Sequence, residues 1–544
     1  MDPLPMMSLT TDSLNSSNRK LRGGYYTPGS IGEFLASWAV RSGRERVLEP
    51  SCGDGALVEP VARRLNGNGE LIAVELFGHE AIKAEARGGP NAKVVVADVF
   101  RWWNPQEHDG FFDAVVGNPP FIRYQDFPDT HRRTAFQVMY TEGMHPTRLT
   151  NAWLPFVVLA TRSLRPGGRL ALVLPAELMQ VGYAAELREY LVRKFSELHI
   201  VTFRKTVFEG IQQEVILLLG IRKDCQSARI NIEELNTASD LSSLNLDDAV
   251  PTEVDLEHST EKWTQYYLAP REIGLLRSLS REGVVPRLHD YAKVNVGIVT
   301  GRNSFFVLSR TEAEKLKILE WCVPIVGRSF QIPGLQLSQQ DWNGLYCNDK
   351  KVLLLDVEEH DRGNLPSQLL EYIEKGEMLG FSKGYKCRIR LPAWWRVPSR
   401  WVPDAFMLRQ IYDAPRIVAN GAEAMCTDTI HRLRVKESVC PLQIAAASVN
   451  SMTLAFSEVM GRSYGGGVLE LEPREASQLP FPKLNGRLPV SDLDHLARTE
   501  NVEVLVDRVD SLVLKNMGLA QEEVTMLKSI WRRLSMRRRN RVRA

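Results

Sequence analysis

The sequence predicts an α/β fold: a doubly wound, Rossmann-like parallel sheet followed by a mixed α/β domain and a helical carboxyl end. Three observations carry this. Short β-rich runs alternate with helix-length intervals through the first 225 residues. Runs such as Leu170-Ala171-Leu172-Val173-Leu174 are apolar throughout rather than alternating, as in strands covered on both faces. Glycines or acids follow several strand ends, on the edge where open α/β sheets bind ligands.

Seven strands are expected, at residues 46–49, 71–75, 93–97, 113–116, 169–174, 199–203 and 214–220. The last two are joined by residues 205–213, too short a gap for a crossover helix with its turns, so they should form a hairpin. Residues 21–225 thus read as one doubly wound domain. Residues 226–284, polar and acidic around 240–248, read as a linker or peripheral excursion. From 285 to 485 the pattern changes to short mixed segments with many Gly, Pro and Trp, a separate domain. Helical periodicity returns over 486–544, at Leu493, Leu496, Val502, Leu505, Val509 and Leu512. Residues 1–20 are polar, lack the apolar core of a signal peptide and read as a disordered leader.

A chain of 544 residues with 44% hydrophobic and 25% charged residues has a globular balance and the length for several domains. No apolar run approaches the roughly 20 residues of a membrane span. The seven cysteines are odd in number and show no CxxC spacing, which disfavours a disulfide framework and a zinc site. A cytoplasmic protein without metal or membrane partner is expected. Net charge is +2, but the last thirteen residues carry seven arginines and no acid, leaving about −5 for the rest. Such a basic end either holds phosphates or is a frayed, solvated terminus.

The first strand runs into Leu48-Glu49-Pro50-Ser51-Cys52-Gly53-Asp54-Gly55. Glycines at this place let backbone approach a ligand, yet the spacing is not the pyrophosphate fingerprint GxGxxG, so a dinucleotide is disfavoured. Glu75 closes the second strand, where an acid can hold two ribose hydroxyls. Asp98 follows the third, where a carboxylate can accept from an adenine amino group. Each acid alone reads equally as a solvent-facing loop residue; three at successive strand ends, with the glycines, read as a binding edge. Upstream, Thr27 and Pro28 precede an amphipathic run (Ile31, Phe34, Leu35, Trp38, Ala39) and suit the N-cap and first turn of a helix.

The fourth strand leads into Gly117-Asn118-Pro119-Pro120-Phe121. Two prolines fix φ and remove two donors, so the Pro119 carbonyl and the Asn118 side-chain oxygen are left as acceptors beside an aromatic face. That suits a planar group bearing NH2; a rigid turn ending a strand is the alternative. These residues resemble the N6-adenine DNA methyltransferases of the amino-methylating class, whose mark is (D/N/S)PP(Y/F). Thr27-Pro28, Glu49-Pro50-x-Cys52-Gly53-x-Gly55, Glu75, Asp98 and Asn118-Pro119-Pro120-Phe121 stand in that family's order, an order similar to its gamma subgroup. Three later stretches, 296–301, 419–429 and 461–467, resemble the target-recognition region of stand-alone restriction-modification methylases of the XhoI type.

The resemblance implies a seven-stranded S-adenosylmethionine-dependent catalytic domain and a target-recognition domain over 285–485. It implies S-adenosylmethionine held by Thr27, Glu49, Cys52, Gly53, Gly55, Glu75, Asp98 and Asn118. It implies methyl transfer by Asn118, Pro119, Pro120 and Phe121, with Phe121 and Phe208 stacking on an adenine flipped out of double-stranded DNA. Family members more often have Tyr where Phe121 stands; stacking survives that change and a hydroxyl contact does not. A monomer working beside a separately encoded restriction endonuclease follows. In the recognition region, Tyr385, Lys386, Arg388, Arg390, Trp394, Trp395, Arg396, Arg400 and Trp401 are available for base edges or phosphates. The alternatives are an amino-methyltransferase for cytosine N4, RNA adenine or protein glutamine, or a catalytically silent DNA-binding homologue.

Overall fold

A computed structural model describes residues 27–540, apart from 206, 208–213, 224–227, 253–254, 360 and 465. The leader expected at 1–20 lies outside these residues. Contacts divide the chain into two units, one of residues up to Ala269 and one from Pro270 to Arg539, with residues 464–466 and 540–544 grouped with the first.

The first unit runs α1 (Gly29–Ala39), β1 (Arg46–Glu49), α2 (Val58–Leu65), β2 (Glu70–Glu75), α3 (Gly78–Gly88), β3 (Ala92–Val96), α4 (Val99–Trp102), β4 (Phe112–Gly117), α5 (Asp129–Thr141), α6 (Trp153–Ser163), β5 (Leu164–Pro175), α7 (Ala185–Lys194), β6 (Phe195–Phe203), β7 (Val215–Arg222) and β8 (Arg229–Leu235). The sheet order is β3-β2-β1-β4-β5-β7-β6-β8. Pairs from β3 to β5 are parallel, and β7 is antiparallel to both neighbours. Each expected strand is present, and β6 and β7 pair antiparallel as the short connection required.

Apolar burial covers both sheet faces. Ala114, Val116, Ala171, Val173, Leu217 and Leu219 share one core with Ile31 and Leu35 of α1 and with α2. Their alternates Val115, Leu170, Leu172 and Leu218 are equally buried. This is why the strands read as continuous apolar runs. The Trp38 indole of α1 donates to the Leu170 carbonyl at 3.0 Å, which fixes the helix on the sheet and with it the residues that precede it.

The expected linker is corrected. Residues 229–235 form an eighth strand, β8, parallel to β6, with Leu198 opposite Ile230 and Ile200 opposite Ile232. The segment beyond it is also built in. Leu241 and Leu246 belong to the core that holds α1, and Trp263 is fully buried. The acids of 240–248 that suggested a linker are helix-capping and turn residues: the Asp240 carboxylate accepts from the Asn236 and Thr237 amides.

The second unit contains a five-stranded sheet (Gln336–Leu337, Ile417–Asn420, Ala405–Leu408, Ile430–Val435, Ala292–Val296, in spatial order) and two smaller sheets, and it ends in helices Val490–Thr499, Val502–Val513 and Gln521–Arg539. Within the described residues, up to 540, the basic end is not presented to solvent as a block. Arg538 is buried, and its guanidinium donates to both Glu458 oxygens, at 2.7 and 3.0 Å, and to the backbone carbonyls of Ile411, Tyr412 and Gly467. Arg533 pairs with Glu272 at 2.7 and 2.9 Å, Arg532 with Glu503 and Arg539 with Asp413. Four of the seven arginines thus neutralise carboxylates of the same unit.

Removing one partner of a buried pair strands the other charge. Arg538→Ala is therefore expected to destabilise the second unit by about 3–5 kcal/mol. Arg539→Ala, whose Asp413 partner is largely exposed, should cost at most about 1 kcal/mol. Chemical denaturation of the two variants checks the contrast; equal small effects would dismiss the buried pair as a structural element.

Candidate active site

The strand order reverses between β1 and β4, and their carboxyl ends form the crevice in which such sheets bind ligands. The two ends come unusually close. A Cβ on Gly117 would lie 3.3 Å from Glu49 Oε1, Pro50 Cδ and Leu172 Cδ2 at once, a tight fit on three sides that a small shift of these side chains would have to relieve. This approach places Glu49 and Asn118 on one wall. A cavity of about 470 Å³ opens from it, lined by Thr27, Glu49, Cys52, Gly53, Glu75, Asp98, Asn118 and Pro120 among the expected residues.

Backbone and carboxylates cross-link around this cavity. Gly53, at φ +53°, donates its amide to Glu75 Oε2 at 2.9 Å, and the Phe77 amide donates to Oε1 at 2.9 Å. Asp98 caps α4 by accepting from the Phe100 amide at 3.0 Å, and its second oxygen lies 2.6 Å from His131 Nδ1. Asn118 Nδ2 donates to Thr27 Oγ1 at 3.2 Å, which sets the plane of the amide.

Three expectations change in detail. Thr27 is not the N-cap: α1 begins at Gly29 with Pro28 in the cap position and no side-chain cap, so the Thr27 hydroxyl is given to Asn118 instead. Gly55, at φ +90°, is needed for packing, because a Cβ there would lie 2.6 Å from Ala84 Cα of α3; it does not line the cavity. Phe208 lies outside the described residues. The cavity also takes residues the sequence did not single out: Asp54, tied to Arg87 at 2.7 Å, and Ile122, Phe127, Pro128 and His131 from the chain just after the tetrapeptide. Their only sequence signal was their position after Phe121.

Residues 10–266 match the family model described as N-6 DNA Methylase, and residues 260–514 match that of the C-terminal domain of the Type II methyltransferase M.Eco57I. Residues 10–266 are thus similar to the N-6 DNA methylases. The chain is similar to the Type II methyltransferase M.AccI of Acinetobacter calcoaceticus, 21% identical over 86% of each chain. It is also similar to the Type II methyltransferase M.PaeR7I of Pseudomonas aeruginosa, 22% identical over 96% of each. Among solved structures, the Type IIL restriction-modification enzyme MmeI in complex with DNA has a similar fold, with a TM-score of 0.58 and 12% identity, over 96% of this chain and 76% of that one.

The cofactor of an N-6 DNA methylase is S-adenosylmethionine, and one observation tests whether this site fits it. Glu49 is 1% exposed; one oxygen accepts weakly from the Ser51 amide, and the other, Oε2, has no hydrogen-bond partner among the described residues. Burial holds this carboxyl well above the usual carboxylate range, and the charge of Glu75 adds to the effect. Burial also raises Glu75 and the Cys52 thiol. A wall of acids kept short of positive charge fits a ligand that brings its own ammonium and sulfonium.

In the second unit, most of the basic and aromatic residues named from sequence are held by contacts within the unit. Trp394 and Trp395 are buried, the first against Phe305 and hydrogen-bonded to Glu377. Arg390 donates to the Thr300 and Arg396 carbonyls, and Arg400 pairs with Asp356 and Glu358. Arg432 and Arg434 lie over the Trp401 ring. Tyr385, Lys386 and Arg388 are the members of that set left exposed. The stretch at 419–429 is likewise a brace: the Asn420 amide bonds to Pro403 and to both backbone groups of Ala424.

The state of Glu49 predicts proton-linked binding of a cationic ligand in this cavity. Such a ligand favours the charged carboxylate, so binding should lower the Glu49 pKa and release a proton. Calorimetry of S-adenosylmethionine in buffers of differing ionisation enthalpy is expected to show this release in the native protein and not in Glu49→Gln. A carboxyl whose pKa is raised by folding also costs stability at pH above its unfolded value. The same substitution should therefore raise the thermal midpoint of the cofactor-free protein at neutral pH. Equal proton release by both proteins would remove Glu49 from the linkage.

Proposed function

We propose that the chain is a site-specific DNA methyltransferase that transfers the methyl group of S-adenosylmethionine to N6 of an adenine extruded from duplex DNA, as the modification enzyme of a type II restriction-modification system. The observation that carries the reading is the position of Asn118-Pro119-Pro120-Phe121. It follows the central strand β4, and its Asn118 and Pro120 line the acid-lined cavity, with the Asn118 amide bonded to Thr27, while Phe121 packs against the core beside it.

When bound, the cofactor supplies an electrophilic methyl group on a positively charged sulfur. In this reading Glu75 takes the ribose hydroxyls, Asp98 the adenine amino group and Glu49 the cationic methionyl end, a set supported by all three lining the one cavity. Asn118 Oδ1 and the Pro119 carbonyl accept from the target NH2. An exocyclic amine is a poor nucleophile because its lone pair is delocalised into the ring. Two acceptors on its hydrogens favour a pyramidal nitrogen and stabilise the positive charge that develops on it. Their fixed geometry supplies the in-line alignment that methyl transfer requires. N6 pairs within the duplex, so the base has to leave the stack at a cost of a few kcal/mol, which Phe121 offsets by stacking. The match of residues 260–514 to a Type II methyltransferase domain supports DNA over RNA or protein as the substrate.

Transfer from labelled cofactor to DNA, followed by digestion to nucleosides, is expected to yield N6-methyladenine; label in N4-methylcytosine would overturn the assignment. Asn118→Ala should lower the methylation rate by ~100-fold or more while cofactor affinity stays within a few-fold. Glu75→Ala should do the reverse and weaken cofactor binding by about 10- to 150-fold, the scale of a charge-assisted hydrogen bond. Single-turnover rates and cofactor titration separate the two.

A further inference from the structure

We propose that His131 is a positioning residue that, through Asp98, sets the preference of the cofactor site for a purine with an amino group at position 6. The inference rests on the reading of Asp98 as the acceptor for the cofactor's adenine.

Asp98 sits between two elements that hold its carboxylate from different sides. Its Oδ1 accepts from the Phe100 amide of α4, and its Oδ2 lies 2.6 Å from Nδ1 of His131, in the first turn of α5. That turn is itself fixed. The neighbouring Arg132 donates to the Tyr124 and Phe127 carbonyls, at 3.2 and 2.8 Å, and lies over the Tyr124 ring at 4.1 Å. Both Asp98 and His131 line the cavity, with Phe127 and Pro128 beside them. Arg101 approaches Oδ2 only to 3.9 Å and is largely exposed, so solvent screens it.

An ionised carboxylate offers about four acceptor positions. With one bond from the backbone and one from the imidazole, its plane is fixed and its remaining lone pairs have a set direction. A purine 6-amino group donates to such an acceptor. A 6-oxo group presents a second acceptor and is repelled. Without His131 a single capping bond holds the carboxylate, which can then turn away from an ill-matched purine. His131 thus sharpens the discrimination without touching the reacting atoms.

The experiment measures calorimetric affinities of S-adenosylhomocysteine and its 6-oxo counterpart, the inosine analogue, for the native protein, His131→Ala, His131→Asn and Asp98→Ala. The native protein is expected to prefer the 6-amino ligand by about 10- to 150-fold, the scale of a hydrogen bond to a charged group. In His131→Ala the preference should shrink to a few-fold while affinity for the 6-oxo ligand is retained. In His131→Asn, whose amide can place a donor near the Nδ1 position, it should largely return. A His131→Ala protein that loses affinity for both ligands by the same factor, with its preference intact, would overturn the proposal and leave His131 a structural residue. Should that variant bind neither ligand, His131→Gln, whose amide lies too far along the side chain to replace Nδ1, is read in its place. Asp98→Ala separates the two levels. If it keeps the preference, the reading of Asp98 falls and the proposal with it; if it loses the preference while His131→Ala keeps it, only the proposal falls.

Discussion

The site depends on the close approach of two parallel strands at their carboxyl ends. β1 and β4 are neighbours because the chain reverses its direction of winding between them, and their last residues meet where a Cβ on Gly117 would fit only tightly. The Glu49 carboxyl and the Asn118 amide line the same cavity there. The rest follows from bonds that run across the crevice: Glu75 holds the β1 loop through the Gly53 amide, and Thr27, anchored by α1 on β5, holds Asn118. The cavity and the Asn118 tetrapeptide are thus one cross-linked object rather than two adjacent ones.

The electrostatics of this object are deliberately incomplete in the protein alone. Burying an acid without a partner disfavours its charged form, and Glu49 is held in that condition at the centre of the crevice. The polypeptide carries a destabilised carboxyl on the wall of the cavity, which a cationic ligand there would relieve.

Much of this was legible in the sequence, because the signals were local. Continuous apolar runs marked strands with two covered faces, and acids and glycines at strand ends marked the binding edge. The tetrapeptide after Gly117 stood out because it follows the fourth strand directly and ends in an aromatic, where a bare pair of prolines would read as a rigid turn. What stayed hidden depends on partners far away in the chain. β8 was masked by the acids after it, which turned out to cap turns of the first unit. Gly55 looked like a ligand glycine and is a packing glycine, because Ala84 lies against it. Thr27 looked like a cap, and its hydroxyl is used 91 residues further on. Trp394, Arg400 and the terminal arginines read as a nucleic-acid surface because composition gives charge and aromaticity but not direction. Most of these side chains point at their own fold.

The buried Arg538 has a consequence for how such enzymes diversify. Relatives that differ in the DNA they modify could in principle trade recognition halves by recombination. Here the exchangeable cassette cannot stop at the end of the last sheet. Glu458 and the carbonyls of residues 411, 412 and 467 are completed by a guanidinium about seventy to a hundred and thirty residues further along. A crossover falling between them would pair an acid from one parent with whatever the other parent carries at that helical position. Functional chimaeras should therefore inherit the final helix together with the sheets it closes, so that inheritance of the two ends is linked by a single ion pair.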